Sequence, residues 1–114
     1  MRLRSDIVIS ALIRRVFSQG GFAAVARKGS DAAGAIFVRQ RFRDGLETLY
    51  GPAPQSFVTD DDSDGDRIFE IRLARTEPEA LDALIEREAR FDADLWVVEI
   101  ETDEIGSLVT VAGG

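Results

Sequence analysis

The segment Ala35–Arg43, followed by Asp44-Gly45 and then Leu46–Tyr50, constrains the fold more than any other part of the chain. Ile36, Val38 and Phe42 alternate with Phe37, Arg39 and Arg41, the period of two that a β-strand imposes on its side chains. Asp-Gly is a favoured hairpin turn because glycine adopts the positive φ such turns need. The pair of segments therefore predicts an antiparallel hairpin. Gly51-Pro52-Ala53-Pro54 should end its second strand, since proline has no N–H to donate to the ladder.

Other segments extend the sheet. Phe22–Lys28 reads as a strand turned by Gly29-Ser30-Asp31, and Ile68–Ala74 as another, with Phe69, Ile71 and Leu73 opposite Glu70 and Arg72. In Leu95–Glu101 the uninterrupted run Leu95-Trp96-Val97-Val98 predicts a strand covered on both faces. Ser107–Val111 is long enough for a short last strand. A helix is expected over 6–18, capped by Ser5 and stopped by Gly20, with Val8, Ile9, Leu12, Ile13, Val16 and Phe17 on its buried half. A second helix should open on a capping box of Thr76 and Glu79, with Pro78 in its first turn. It should run to about Arg90 with Leu81, Leu84 and Ile85 inward. Phe91 and Trp96 read as core residues.

The resulting order is α-β-β-β-β-α-β. Connecting Ile68–Ala74 to Leu95–Glu101 through a helix predicts a right-handed crossover between parallel strands. The expected class is α+β: a two-layer sandwich, its sheet mainly antiparallel and of about five strands, with both helices on one face. At 114 residues the chain reads as a single domain over 1–114. A flexible acidic loop is expected at 58–67 and a loose C-terminus at 112–114.

What the chain lacks narrows its chemistry. It contains no cysteine and no histidine, so thiolate metal sites, disulfides and imidazole acid–base catalysis are excluded. It has no glycine-rich phosphate loop either, and no cofactor is expected. Net charge is −7, yet residues 1–43 carry nine Arg/Lys against two Asp/Glu, while residues 44–114 carry five against nineteen. An acidic whole disfavours nonspecific nucleic-acid binding, and the simplest use of this polarity is pairing between the two halves. Arg14-Arg15-Val16-Phe17 imitates a twin-arginine export signal, but the apolar run Ile7–Ile13 precedes the arginines instead of following them. With no membrane-length apolar stretch, a cytoplasmic location is expected.

The stretch TDDDSDGDRIFE, residues 59–70, imitates a calcium loop. Counting from Asp60 places Asp62, Asp64 and Gly65 correctly, but position 8 is Arg67 and position 12, where a bidentate Glu belongs, is Ile71. At most a weak cation site at Asp60, Asp62 and Asp64 is expected, so no metal is assigned.

Four side chains stand out as binding candidates. Arg39 and Arg41, with Arg43 beyond them, form a basic stripe by strand alternation, and Arg72 extends it on another strand. The plain alternative is that Glu70, Glu99 or Glu101 neutralise the stripe across the sheet. Glu88 falls on the helix face that carries Leu81 and Leu84, where a carboxylate must find an arginine, shift its pKa or lie beyond the sheet edge. The Asp92 and Asp94 pair is the other candidate for acid–base work, and Lys28, the single lysine, adjoins Arg27 and the Gly29-Ser30-Asp31 turn. No residue is assigned as catalytic.

Several stretches together, MRLRSDIVISALIRR, GAIFVRQR, LYGPAP and RFDADLWVVEIE, resemble a small family of alphaproteobacterial proteins, domain-of-unknown-function family number 1491. The resemblance spans nearly the whole chain and implies a bacterial cytoplasmic protein. It brings no assigned activity and no catalytic residues. The function expected is therefore a noncatalytic interaction or accessory module, acting on an unknown protein partner or by self-association, with no nucleic acid and no membrane. The alternatives are a small enzyme using carboxylates and arginine and, more weakly, an RNA-binding or cation-binding protein.

Overall fold

A computed structural model describes residues 4–54 and 67–112, so Asp60, Asp62 and Asp64 of the acidic loop lie outside the described residues. Ser5–Ser18 forms α1, with Asp6 in its first turn and Arg15 in its last, each favourable at that end of the helix dipole. Ile9, Leu12 and Val16, spaced three and four apart, form its buried stripe, whereas Phe17 is half exposed. Ser5 is not the cap. Arg4 holds that position, and the buried Ser5 hydroxyl instead donates to Gly34 O at 2.6 Å. Gly20 ends the helix at φ +82°, with Gly21 N donating to Val16 O, as the sequence predicts.

The strands are β1 (Phe22–Arg27), β2 (Ile36–Arg41), β3 (Glu47–Pro52), β4 (Ile68–Thr76), β5 (Trp96–Glu101) and the short β6 (Thr110–Val111), with α2 (Pro78–Phe91) between β4 and β5. They form one mixed sheet in the order β1-β5-β2-β3-β4-β6. β2, β3 and β4 are linked antiparallel, while β5 lies antiparallel to β1 and parallel to β2. β4 and β5 do run in the same direction, but β2 and β3 separate them. The reason is visible in β5 itself: Val97 and Val98 are both buried, one on each face, so this strand belongs inside the sheet.

The helices cover opposite faces, which makes three layers instead of the expected two. Alternation in β2 sends Ile36 and Val38 to one face and Phe37 to the other. Trp96, Val98 and Ile100 of β5 join the first face, and Leu95 and Val97 the second. Both faces are apolar, so both need cover. α1 packs Ile9, Leu12 and Val16 on the first, and α2 packs Leu81, Leu84 and Ile85 on the second. Each fully buried Leu or Val contributes about 1.5–3 kcal/mol relative to exposure, which makes an uncovered face costly.

The capping box of α2 does not form: Thr76 is still in β4, Glu77 is the N-cap, and no side chain caps the helix. Pro78, whose missing N–H has no helical partner to lose, opens it instead. Phe91, expected in the core, is 90% exposed at the other end. No helix among the described residues is long and apolar enough to cross a membrane.

Candidate functional site

The hairpin places Arg41 directly opposite Glu47, and Arg39 lies two residues back on the same face. All three side chains therefore meet under the N-terminal half of α2. Glu47 is 1% exposed, and its two oxygens serve different arginines. Arg39 donates from Nε and Nη2 to Oε1 at 2.9 and 2.6 Å, and Arg41 donates from Nε to Oε2 at 2.9 Å. The α2 layer adds Asp82, which accepts from Arg39 Nη1 at 2.7 Å, and the Pro78 carbonyl, which accepts from Nη2 at 3.3 Å. Glu99 of β5 closes the cluster on Arg41 Nη2 at 3.4 Å.

Burial works against the charge on Arg39, but hydrogen bonds to Asp82 and Glu47 outweigh it and hold its pKa above the ordinary arginine value. For Arg41 the hydrogen bond to Glu47 is the largest influence and raises its pKa against a smaller burial effect. Both guanidiniums therefore stay charged, and the carboxylates around them are occupied. Sequence reasoning named Glu99 as an acid available to the stripe but missed Glu47 and Asp82. A two-residue Asp44-Gly45 turn would set Arg41 opposite Thr48; the loop instead takes in Arg43, with Phe42 N donating to Leu46 O, and so sets Arg41 opposite Glu47.

Arg72 does not join this cluster. Between Leu49↔Leu73 and Tyr50↔Ile71 the β3–β4 register slips by one, which leaves Arg72 as the extra residue of a bulge. Its guanidinium lies over the Phe37 ring, with Cζ 5.5 Å from the centroid. Nε stands 2.9 Å from Glu70 Oε2, and Nη2 donates to Pro52 O at 2.8 Å. Nη1 reaches Glu88 Oε1 at 3.5 Å, and the Glu88 side chain is 40% exposed, so this acid finds an arginine at the rim of the core. Leu49 and Leu73 of the sheet and Leu81 and Leu84 of α2 form the apolar layer beside it.

The remaining candidates are dispersed. Asp92 accepts from Asp94 N in the turn after α2, at 3.0 Å. Lys28 and Arg43 are exposed. Arg75, at φ +29°, pairs with Asp44 at 2.6 Å and lies over the Phe42 ring. A cleft of about 240 Å³ lies between α1 and residues 106–110, beside Arg15. Another, of about 550 Å³, opens beyond the carboxyl ends of β2 and β5 near Arg43 and Asp103. Glu88, Asp92 and Asp94 line neither. Among the described residues no three acids stand close enough to hold a metal ion.

The sheet's outer edge is the other notable surface. β1 hydrogen-bonds only to β5 among the described strands. Phe22 and Val25 on it are 50% and 42% exposed, and Phe22 meets the exposed Phe17 edge-on at 5.9 Å. Sequence reasoning did not single out this edge, because only the insertion of β5 between β1 and β2 makes β1 terminal.

The solution structure of protein Atu0922 from A. tumefaciens superposes with a TM-score of 0.87 at 66% identity, covering 100% of this chain and 98% of that one. A crystal structure of a DUF1491 family protein from Caulobacter crescentus CB15 gives 0.79 at 37% identity, with 99% and 100% covered. An NMR structure of a DUF1491 family protein from the same organism gives 0.77 at 40% identity, covering 99% of each chain. No curated protein matches the chain. Its residues 3–110 match the family described as "Protein of unknown function (DUF1491)", and the chain belongs to that family.

Proposed function

We propose that the protein is a noncatalytic interaction module whose docking element is the outer edge of β1. One observation carries this reading: a terminal strand with an open ladder side also presents half-exposed Phe22 and Val25, beside Phe17. Such an edge recognises an extended partner segment by main-chain hydrogen bonds, with alternate apolar side chains adding selectivity. Arg39 and Arg41 support the same reading by their engagement elsewhere, because Glu47, Asp82 and Glu99 take up their donors within the chain. The enzyme reading has less support, since Glu88 sits at the rim and Asp92 and Asp94 lie in a turn.

The test is affinity capture from a native bacterial extract, identified by mass spectrometry, on immobilised wild type, Val25→Lys and Arg41→Gln. A lysine on the strand edge blocks strand addition without entering the core. The expected result is a protein held by wild type and Arg41→Gln and lost with Val25→Lys. Equal capture on all three, or loss only with Arg41→Gln, would overturn the assignment to β1.

A further inference from the structure

We propose that the strand received by β1 is β1 of a second copy of this chain, paired antiparallel across a two-fold axis through Ala24. The inference rests on the reading of β1 as a docking edge and adds the identity of its occupant.

A two-fold interface must carry its own complement, because the same patch supplies both sides. The β1 edge does. Its C-terminal end bears Arg27 and Lys28, both exposed, with Arg27 Nη2 also donating to Ala93 O at 3.3 Å. At its N-terminal end Phe22 is paired with the exposed Glu101 of β5, beyond which the chain leads toward β2, where Thr102 O accepts from Gln40. Antiparallel pairing brings the basic end of each copy against the acidic end of the other, twice. β1 itself holds no acid, so the complement to Arg27 and Lys28 is Glu101 on the neighbouring β5, and a two-fold axis uses this pairing at both ends.

The side chains also select a register. In an antiparallel pair, directly opposite residues share a face, so a two-fold axis normal to the sheet must pass through a residue position. Phe22 and Ala24 lie on the face of Glu101 and Glu99, while Ala23 and Val25 lie on the face of Ile100 and Val98. Centring on Ala24 sets each Val25 opposite the partner's Ala23, large against small, and Ala24 opposite itself. The β1–β5 register slips after Val25, leaving Ala26 as a bulge. That bulge stands opposite the partner's Phe22, and Arg27 beyond it approaches that ring and Glu101. Edge strands that avoid association are guarded by proline or charge within the strand. In β1 the guarding features, the Ala26 bulge and Arg27, lie at the C-terminal end, and Phe22–Val25 contains neither proline nor charge.

The 114-residue chain is tested by sedimentation from about 10 μM to about 1 mM, the range in which small interfaces dissociate. Wild type is expected to pass from monomer to dimer across this range, and Val25→Lys to weaken the dimer by tenfold or more. The chain has no native cysteine, so Ala24→Cys places one thiol at the axis. The opposed Cα atoms would stand about 4.5–5.5 Å apart, within disulfide reach. This variant should form a covalent dimer on mild oxidation, well ahead of Ile71→Cys, which stands at a half-exposed position of β4. A monomer throughout, a dimer indifferent to Val25→Lys, or Ala24→Cys crosslinking no faster than Ile71→Cys would each overturn the proposal. None of these results bears on capture of a different protein by β1, which the extract experiment reads separately.

Discussion

Gly51 and Arg72 approach each other so closely that position 51 has no space for a side chain. A Cβ there would stand 2.9 Å from Arg72 Cζ and 2.8 Å from Phe37 Cε2. The glycine in β3 thus admits the bulged arginine onto the Phe37 ring, where it reaches both Glu88 and the Pro52 carbonyl.

Gly51→Ala is therefore expected to destabilise the fold through overpacking, by about 1–3 kcal/mol. Thermal denaturation reads this directly. Loss of the Phe37 ring shifts associated with the guanidinium, seen by NMR, would show that Arg72 is the group displaced. An unchanged midpoint would mean that the site relaxes without cost.

Glu47 differs from a surface partner because two arginines converge on it below α2. Glu47→Ala removes the buried partner of Arg39, which keeps Asp82 and the Pro78 carbonyl, and should cost about 1.5–3 kcal/mol. Arg4→Ala, which breaks an exposed pair with Asp6, should cost less than about 1 kcal/mol. Urea denaturation of the two variants compares them. Similar midpoints would show that Asp82 and solvent satisfy Arg39 without Glu47.

Tyr50, the single tyrosine, is buried and donates to Gln40 Oε1 at 2.7 Å. Burial raises its pKa above the ordinary tyrosine value, because the fold disfavours the phenolate. Its contribution to stability is thus fully present below the unfolded value near pH 10, and is lost as pH rises through the higher folded value. Tyrosinate absorbance, which here reports one residue, should rise later in the folded protein than in urea. Tyr50→Phe should flatten the alkaline loss of stability. It should also cost about 1–3 kcal/mol at neutral pH by orphaning the buried Gln40 carbonyl.

Local physics made most elements legible. Alternation identified β2 and its hairpin, the i, i+3, i+4 spacing identified α1, and Gly20 marked its end, because each depends on neighbours only a few residues away. The family resemblance was legible for the same reason, being carried by short stretches. The arginine stripe followed from strand alternation, and the run Leu95–Val98 correctly predicted a strand buried on both faces. Ser5 and Thr76 were misjudged as caps because alternative partners came from outside their helices: Gly34 takes the Ser5 hydroxyl, and β4 retains Thr76.

By itself, then, the sequence determined the succession of helices and strands, the absence of imidazole and thiol chemistry, and the placing of Arg39 and Arg41 on one face. Only the tertiary structure decided that β5 enters between β1 and β2, that α1 and α2 take opposite faces, and that Glu47 and Asp82 close on the arginines while Arg72 meets Glu88 apart from them. Strand neighbours and helix faces depend on how two apolar sheet faces are covered at once, a condition that joins residues far apart in the chain. The same condition leaves Phe22 and Val25 at an open edge, a surface no local pattern in β1 could have announced.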